Sequence, residues 1–367
     1  MDEDRTSSFD TIIVVVQQRF QDEKVDMNPP RFLFVHLSET CNLKCPHCLY
    51  WQNVSHDTSD NFPLDSKLAV LREFASMNPR GVVVTCGAES TMELEGFYRF
   101  TGECRRLGLR SVSVSNGVVI STPEKARRML FKGPTELSIS LDSHTEELHD
   151  EFRGVKGSFK AAVRAIKLLL TARHQSRAYE QRIHAMLLLC KDNYESLEQI
   201  YEFALCQLGV DKLKLNLLQP TFGCSSGHDK FFVEHSTMDA DKLMEILRHC
   251  DERFCLKMNP EWISQVGGYV RAVANSPLEG RGWSHPIETP EHICNSYERN
   301  LVIDMKGIVR LCVSERFPGV QWHQPGDLKT FWETSDRATM KTCNQLCGIT
   351  HSMRRLSTTF AGLTHFD

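Results

Sequence analysis

Short apolar runs alternate with longer amphipathic stretches between residues 32 and 218, and this alternation limits the folds open to the chain. Apolar runs of four to eight residues are typical of strands covered on both faces, whereas a 3.6-residue period predicts helices. Strand–helix alternation favours right-handed crossovers and a parallel sheet. The predicted strands are 32–37, 82–85, 112–114, 137–141, 184–189 and 213–218, and the predicted helices lie near 64–78, 91–107, 122–131, 157–173 and 194–208.

Six such units are fewer than the eight of a closed barrel, so we expect an α/β fold with a partial (βα)6 barrel of the TIM type. Beyond it, the sequence predicts helices at 237–252 and 258–275, the second broken at Gly267 and Gly268. Alternating residues around Lys306-Gly307 predict a hairpin. We divide the chain into an N-terminal extension (1–30), the barrel (31–220), bridging helices and a linker (221–290), a small α+β module (291–350) and a tail (351–367).

Charge and hydropathy exclude several function classes. The net charge is -4, and the basic pairs are scattered, so no nucleic-acid-binding face is expected. The apolar run at residues 12–16 is too short to span a bilayer and lacks the flanks of a signal peptide. We therefore expect a cytoplasmic protein that binds neither nucleic acid nor membrane.

The chain has fourteen cysteines, which in a long, non-secreted protein argue for metal ligation rather than disulfides. Three of them, Cys41, Cys45 and Cys48, are crowded after the first predicted strand with no fourth beside them. Three thiolates on one loop suit a [4Fe–4S] cluster that keeps one iron open. A structural zinc site would need a fourth ligand, either His47 or a distant residue.

The segment CNLKCPHC, residues 41–48, resembles the cluster motif of the radical S-adenosylmethionine (radical SAM) superfamily. The resemblance implies that SAM occupies the open iron. It also implies that reductive cleavage of SAM gives a 5'-deoxyadenosyl radical, which takes hydrogen from a substrate. An electron donor such as flavodoxin or ferredoxin would be the reducing partner.

Later strand ends are similar to other segments of that family. Cys86-Gly87-Ala88-Glu89 resembles its Gly-Gly-Glu segment, although Cys86 replaces the first glycine, and Ser115-Asn116-Gly117 resembles Thr-Asn-Gly. Residues 138–154 resemble its Ser-hydrophobic-Asp segment followed by Arg-Gly. The alternative roles for these residues are helix capping, for Ser140 or Asp142, and a surface charge, for Arg153. The resemblance implies cofactor contacts from His47, Gly87, Glu89, Ser115, Asn116 and Ser140, and catalytic roles for Asp142 and Arg153.

Four more cysteines, Cys294, Cys312, Cys343 and Cys347, fall in the last quarter of the chain. Two separated pairs of thiolates would also close a structural zinc site. Together with the hairpin, however, they resemble the C-terminal modules called SPASM and Twitch. Because only four cysteines lie there, the resemblance implies one auxiliary [4Fe–4S] cluster with every iron bound to protein.

A fully ligated cluster can accept one electron. That property favours oxidation of an alcohol in a small polar molecule, of the sugar or aminocyclitol type, in which the substrate radical passes its electron to the auxiliary cluster. Relatives that modify ribosomal peptides often carry an N-terminal leader-binding domain. Here fewer than ~35 residues precede the barrel, below the ~40 that an unaided domain needs, so we expect a small molecule rather than a peptide. The alternatives are maturation of a ribosomal peptide, by cross-linking, thioether formation or epimerisation, and a non-catalytic scaffold stabilised by zinc.

Overall fold

The structure is a computed structural model that describes residues 28–48, 51, 61–219, 230–275, 296–313 and 317–341. Within them, nine strands form one sheet in the order β6-β5-β4-β3-β2-β1-β7-β8-β9. Strands β1 to β6 pair in parallel, as the alternation predicts. Their bounds are β1 Phe32–Ser38, β2 Val82–Gly87, β3 Arg110–Ser115, β4 Glu136–Ser140, β5 Arg182–Leu189 and β6 Lys212–Leu217, followed by β7 Asn300–Ile303, β8 Ile308–Arg310 and β9 Val320–Gln321.

Helices follow the strands of the parallel part, which gives the partial barrel of α/β class. Helix α1 is Leu64–Met77, α2 Leu94–Arg106, α3 Pro123–Lys132, α4 Glu146–Arg153, α5 Ser158–Ser176 and α6 Leu197–Tyr201, which continues as a π-helical segment, Glu202–Leu208. The remaining helices are α7 Lys230–His235, α8 Ala240–Phe254, α9 Pro260–Asn275, α10 Asp327–Thr334 and α11 Ala338–Lys341. In the part of the chain that the structure describes, no helix is long and apolar enough to cross a bilayer.

The core has two large clusters and a smaller one. The strands from β4 to β6 pack against α3, α5, α6, α8 and α9, while β1, β2 and β7 pack against α1 and α10. The smaller cluster joins residues of alternate positions on β1 and β2, including Phe32, Phe34, Val82 and Val84. Since a strand alternates its faces, both faces of β1 and β2 are buried.

The predicted hairpin is present as β7 and β8, which pair antiparallel. It does not stand apart from the barrel, because β7 pairs in parallel with β1 over Phe32–Val35. The first residues of the C-terminal region thus extend the barrel sheet next to the strand that carries the cysteine loop.

The expected break in the second bridging helix is wrong, because α9 runs without interruption from Pro260 to Asn275. A Cβ atom at Gly267 would overlap the Met244 side chain of α8. The glycine therefore allows two helices to pack closely instead of ending one of them. Helix α4 is an element that the periodicity did not predict.

Candidate functional site

The cysteine loop leaves the end of β1 and is held by its own backbone. Cys48 N–H donates to the Cys45 carbonyl (3.1 Å), and Leu43 N–H donates to Cys41 Sγ (3.4 Å). The Trp51 indole N–H donates to the Cys45 carbonyl as well (2.9 Å). Burial raises the pKa of the Cys41 and Cys45 thiols, and Arg153 acts on both in the opposite direction. The three thiols lie on one short, partly buried loop.

Two glycines let neighbouring elements approach this loop. Gly87, at the end of β2, has φ +101°, and a Cβ there would lie 2.5 Å from the Ser38 carbonyl oxygen. Gly154 ends α4 with φ +65°, and a Cβ there would overlap the carbonyl of Lys44, inside the loop. Residues with side chains rarely adopt such φ values, so only glycine fits both positions.

Glu89 connects the ends of three strands. Its N–H donates to the Thr40 carbonyl after β1 (3.0 Å), and its Oε2 accepts from Asn116 N–H after β3 (2.7 Å). Oε1 accepts from both the N–H (3.2 Å) and the hydroxyl (2.5 Å) of Thr91. The residue is 4% exposed. Since each carboxylate oxygen accepts two hydrogen bonds, Oε2 retains capacity for one more donor.

Asn116 reaches the cysteine loop directly. Its amide Nδ2 donates to Asn42 Oδ1 (2.7 Å) and lies 3.9 Å from Cys41 Sγ. Ser115 Oγ is 3.5 Å from the Thr91 hydroxyl and accepts from Gly117 N–H (3.1 Å). Ser140, the last residue of β4, is also buried.

Asp142 and Arg153 form a buried ion pair at the same edge of the sheet. Arg153 Nε donates to Asp142 Oδ2 (2.6 Å), and Leu188 N–H donates to Oδ1 (3.1 Å). Burial alone would raise the pKa of Asp142, but Arg153, then His149 and His47, hold it below its usual range. Arg153 also interacts with the Cys45 thiol, so α4 is tied to the cysteine loop.

His149 supports the backbone at Asp142. Its Nδ1 accepts from Asp142 N–H (3.2 Å), and burial lowers the pKa of the imidazole to about 4. His47 instead packs against an aromatic side chain that sequence reasoning missed, Phe231 on α7, with ring centroids 5.7 Å apart. The Phe231 ring fits a stacking role for His47. No spacing in the sequence could have indicated this contact.

The contacts above join Glu89, Ser115, Asn116, Asp142 and Arg153 to one another, to Thr91 or to the cysteine loop, whereas Ser140 is placed only at the buried end of β4. Besides Phe231, the structure adds three polar residues that were missed, Thr91, Asn42 and Asn193; the Asn193 amide donates to the Asp142 carbonyl (3.0 Å). Thr91 could have been found from the polar run that follows the Gly87-Ala88-Glu89 segment. Of the C-terminal cysteines, Cys294, Cys343 and Cys347 lie outside the described residues. Cys312 follows β8, is partly buried and packs against the cluster that contains β1.

The donor set at the loop fits a [4Fe–4S] cluster by its chemistry, because cysteine thiolates are the usual ligands of such clusters. The close backbone approaches at Gly87 and Gly154 hold the loop in place around them. Among the described residues, no three acidic, histidine or cysteine side chains already converge on one point. The fit therefore rests on ligand type and loop position.

Comparison with known proteins agrees with this arrangement. The model of the radical SAM superfamily matches residues 35–204. The AdoMet-dependent heme synthase of Nitratidesulfovibrio vulgaris is 32% identical over 187 residues, which are 50% of this chain and 47% of that protein. The subtilosin biosynthesis protein AlbA of Bacillus subtilis is 29% identical over 260 residues, 69% of this chain and 52% of that protein. The chain spans about half the length of these curated relatives.

Solved structures share the fold. Streptococcus suis SuiB bound to its precursor peptide SuiA superposes with a TM-score of 0.61 at 14% identity, over 91% of this chain and 72% of that one. An anaerobic sulfatase-maturating enzyme bound to AdoMet and a peptide gives 0.54 at 15% identity, over 85% and 82%. Identities this low establish a shared fold and nothing finer.

Proposed function

Because residues 35–204 form a radical SAM domain, we propose that the chain binds a [4Fe–4S] cluster through Cys41, Cys45 and Cys48, with SAM at the open iron. When bound, this pair supplies a 5'-deoxyadenosyl radical that removes a hydrogen atom from a substrate. The observation on which this proposal depends is the set of hydrogen bonds made by Glu89, which we call the Glu89 node. They join the ends of β1, β2 and β3 beside the cysteine loop.

The chain's own residues have separate parts in this proposal. Glu89 Oε2 offers its remaining acceptor position to the SAM ammonium group, since a carboxylate binds an ammonium strongly. Asn116 fixes the loop through Asn42, and Ser115 and Ser140 line the adjoining strand ends. Arg153 is held by Asp142 and faces the loop at Cys45, where it can orient a carboxylate of SAM or of substrate. His47, packed on Phe231, would border the adenine of bound SAM.

Anaerobic reconstitution tests this core proposal. Iron and sulfide analysis, followed by electron paramagnetic resonance of the dithionite-reduced chain, should reveal a cluster whose signal changes when SAM is added. The chain should then release 5'-deoxyadenosine, and Cys45→Ala should not. A signal indifferent to SAM, or zinc in place of iron, would refute the proposal and favour the zinc scaffold.

For the substrate we propose a peptide. AlbA is named for the biosynthesis of the bacteriocin subtilosin, and its similarity covers 69% of this chain. Alcohol oxidation in a sugar-like molecule is the second candidate; it draws support from the four C-terminal cysteines, which suit a fully ligated electron acceptor. No relative named above is described as acting on an alcohol.

Mass spectrometry separates the two candidates. Peptides and polyols are incubated anaerobically with SAM and dithionite. Loss of two hydrogens from a polyol indicates dehydrogenation, whereas a new cross-link or thioether in a peptide indicates maturation. Deuterium transferred from a labelled substrate into 5'-deoxyadenosine identifies the carbon that is attacked.

A further inference from the structure

A histidine–carboxylate pair lies beside the candidate site, and neither residue belongs to the set that the sequence predicts. His235, the last residue of α7, has its Nδ1 2.6 Å from Oδ2 of Asp192 in the loop after β5. The backbone supports the pair, since Lys191 N–H donates to the His235 carbonyl (2.8 Å). The side chains are 23% and 32% exposed, so a small molecule can reach them.

An aromatic contact connects this pair to the cysteine loop. The His235 ring stacks on Phe231 with centroids 4.1 Å apart and an interplanar angle of 22°. Phe231 in turn lies 5.7 Å from His47 and 5.8 Å from Phe152 of α4. His235 is therefore separated from the loop by the width of one ring, on the side where α7 borders the strand ends.

The hydrogen bond fixes the tautomer. An ionised carboxylate only accepts hydrogen bonds, so Nδ1 carries the proton and Nε2 presents its lone pair. Within the described part of the chain, Nε2 makes no hydrogen bond of its own. An imidazole that a carboxylate orients in this way is a competent general base.

We propose that His235, oriented by Asp192, is the proton acceptor for the substrate, an inference that rests on the proposed function. Nε2 takes the proton of a substrate O–H or N–H group. That bond breaks with its electron pair left on the heteroatom, an N–H bond forms on the ring, and Asp192 balances the imidazolium charge. No electron is exchanged in this step.

The charged and titratable neighbours lie at the ends of β4 and β5, on α4, on α7 and in the cysteine loop, and they differ in sign. Asp192 and the buried Cys190 lie at the end of β5, where Cys190 Sγ is 3.7 Å from Asp192 Oδ2. Asp142 and Arg153 form their ion pair behind Phe152, and His47 lies beyond Phe231. Lys230 and Glu234 pair with each other on α7 itself (3.7 Å).

Chemical labelling tests the accessible base without knowledge of the substrate. The full, cluster-loaded chain is treated with diethyl pyrocarbonate, which attacks neutral imidazole nitrogen, and is analysed by peptide mass spectrometry. His235 should be labelled at least tenfold faster than the buried His149 and His184. Equal or slower labelling of His235 would overturn the proposal.

A kinetic comparison tests the proton transfer. His235→Asn keeps a donor toward Asp192 but has no proton-accepting nitrogen; the ratio of product to 5'-deoxyadenosine should fall at least 10²-fold. His249→Asn is the matched control, because His249 is another exposed histidine paired with a carboxylate (Glu198, 3.2 Å), and its ratio should match the wild type. If the ratio of product to 5'-deoxyadenosine is unchanged in His235→Asn, only the role of His235 as the base is refuted. If the wild-type chain releases no 5'-deoxyadenosine, the proposed function itself is refuted.

Discussion

Arg153 Nε donates a 2.6 Å hydrogen bond to a carboxylate oxygen of Asp142, whose side chain is 0% exposed. The pair joins the end of β4 to α4 and, through the Cys45 thiol, to the cysteine loop. A buried carboxylate needs such a partner, because an unpaired charge in the interior is costly.

Replacement of the arginine should therefore destabilise the fold strongly. We expect Arg153→Gln to lower the free energy of unfolding by about 3–5 kcal/mol, since Asp142 is left buried and unpaired. Arg99→Gln, which breaks an exposed pair with Asp65, should cost less than ~1 kcal/mol. Urea unfolding of the two variants measures the difference, and equal costs would mean that the buried pair is not structural.

Buried histidines should make the fold sensitive to acid. Burial, followed by Lys214, Lys212, Arg182 and Arg110, lowers the pKa of His184 to about 2 from the usual 6.5. The unfolded chain thus binds a proton below pH 6.5 that the folded chain does not, and stability falls as the pH drops from there. His184 should account for a loss of about 2 kcal/mol between pH 7 and pH 5.

The variant His184→Leu isolates this contribution. His184 Nδ1 is buried without a hydrogen bond within the described part of the chain, so an apolar side chain of similar size is tolerated. Unfolding of His184→Leu should depend less on pH than that of the wild type by the amount above. The exposed His174→Leu should keep the wild-type dependence, and a steep dependence in His184→Leu would contradict the assignment.

The Glu89 node should control SAM binding. Glu89→Gln replaces an acceptor by a donor next to the Asn116 and Thr91 donors and removes the charge that attracts an ammonium group. Loss of a hydrogen bond to a charged group costs about 1.5–3 kcal/mol, which weakens binding roughly tenfold or more. Titration of the cluster signal with SAM measures it; Glu93→Gln, on the exposed side of the same turn, is the control.

Two glycines with left-handed φ offer a matched test of the close backbone approach between α4 and the cysteine loop. Gly154→Ala (φ +65°) introduces a Cβ into the Lys44 carbonyl, whereas Gly157→Ala (φ +88°) meets nothing within 4 Å. Both changes should cost about 1–2 kcal/mol in backbone strain. Only Gly154→Ala should also displace the loop and lower the iron content after reconstitution; equal iron contents would show that the close approach is dispensable.

Cys312 should report on the proposed auxiliary cluster. With two [4Fe–4S] clusters the reconstituted chain binds about eight irons, and Cys312→Ala should reduce this to about four. Cys255→Ala, at an exposed cysteine outside both sets, should retain the wild-type content. About four irons in both the wild type and Cys312→Ala would indicate that the C-terminal thiols bind no cluster, and about eight in both would show that Cys312 is not a required ligand.

Much of the barrel could be predicted because strands and helices are local patterns. Strand β1, predicted at 32–37, is found at Phe32–Ser38, and helix α1, predicted at 64–78, is Leu64–Met77. Helix α4 was missed because Glu146–Arg153 has only two strongly apolar positions, Leu148 and Phe152, too few for a helical period. The break predicted in α9 was wrong because Gly267 makes room for Met244 of α8, a contact that the local sequence does not show.

The sequence by itself determined that three thiols share one loop after a buried strand and that polar groups stand at the ends of the following strands. Only the tertiary structure decided which of those groups meet. Parallel pairing aligns the carboxyl ends of β1, β2 and β3 and thereby brings Thr40, Glu89 and Asn116 into hydrogen-bonding contact. His235 and Asp192, 43 residues apart, meet only because α7 packs back onto the end of β5, a contact that no local pattern encodes.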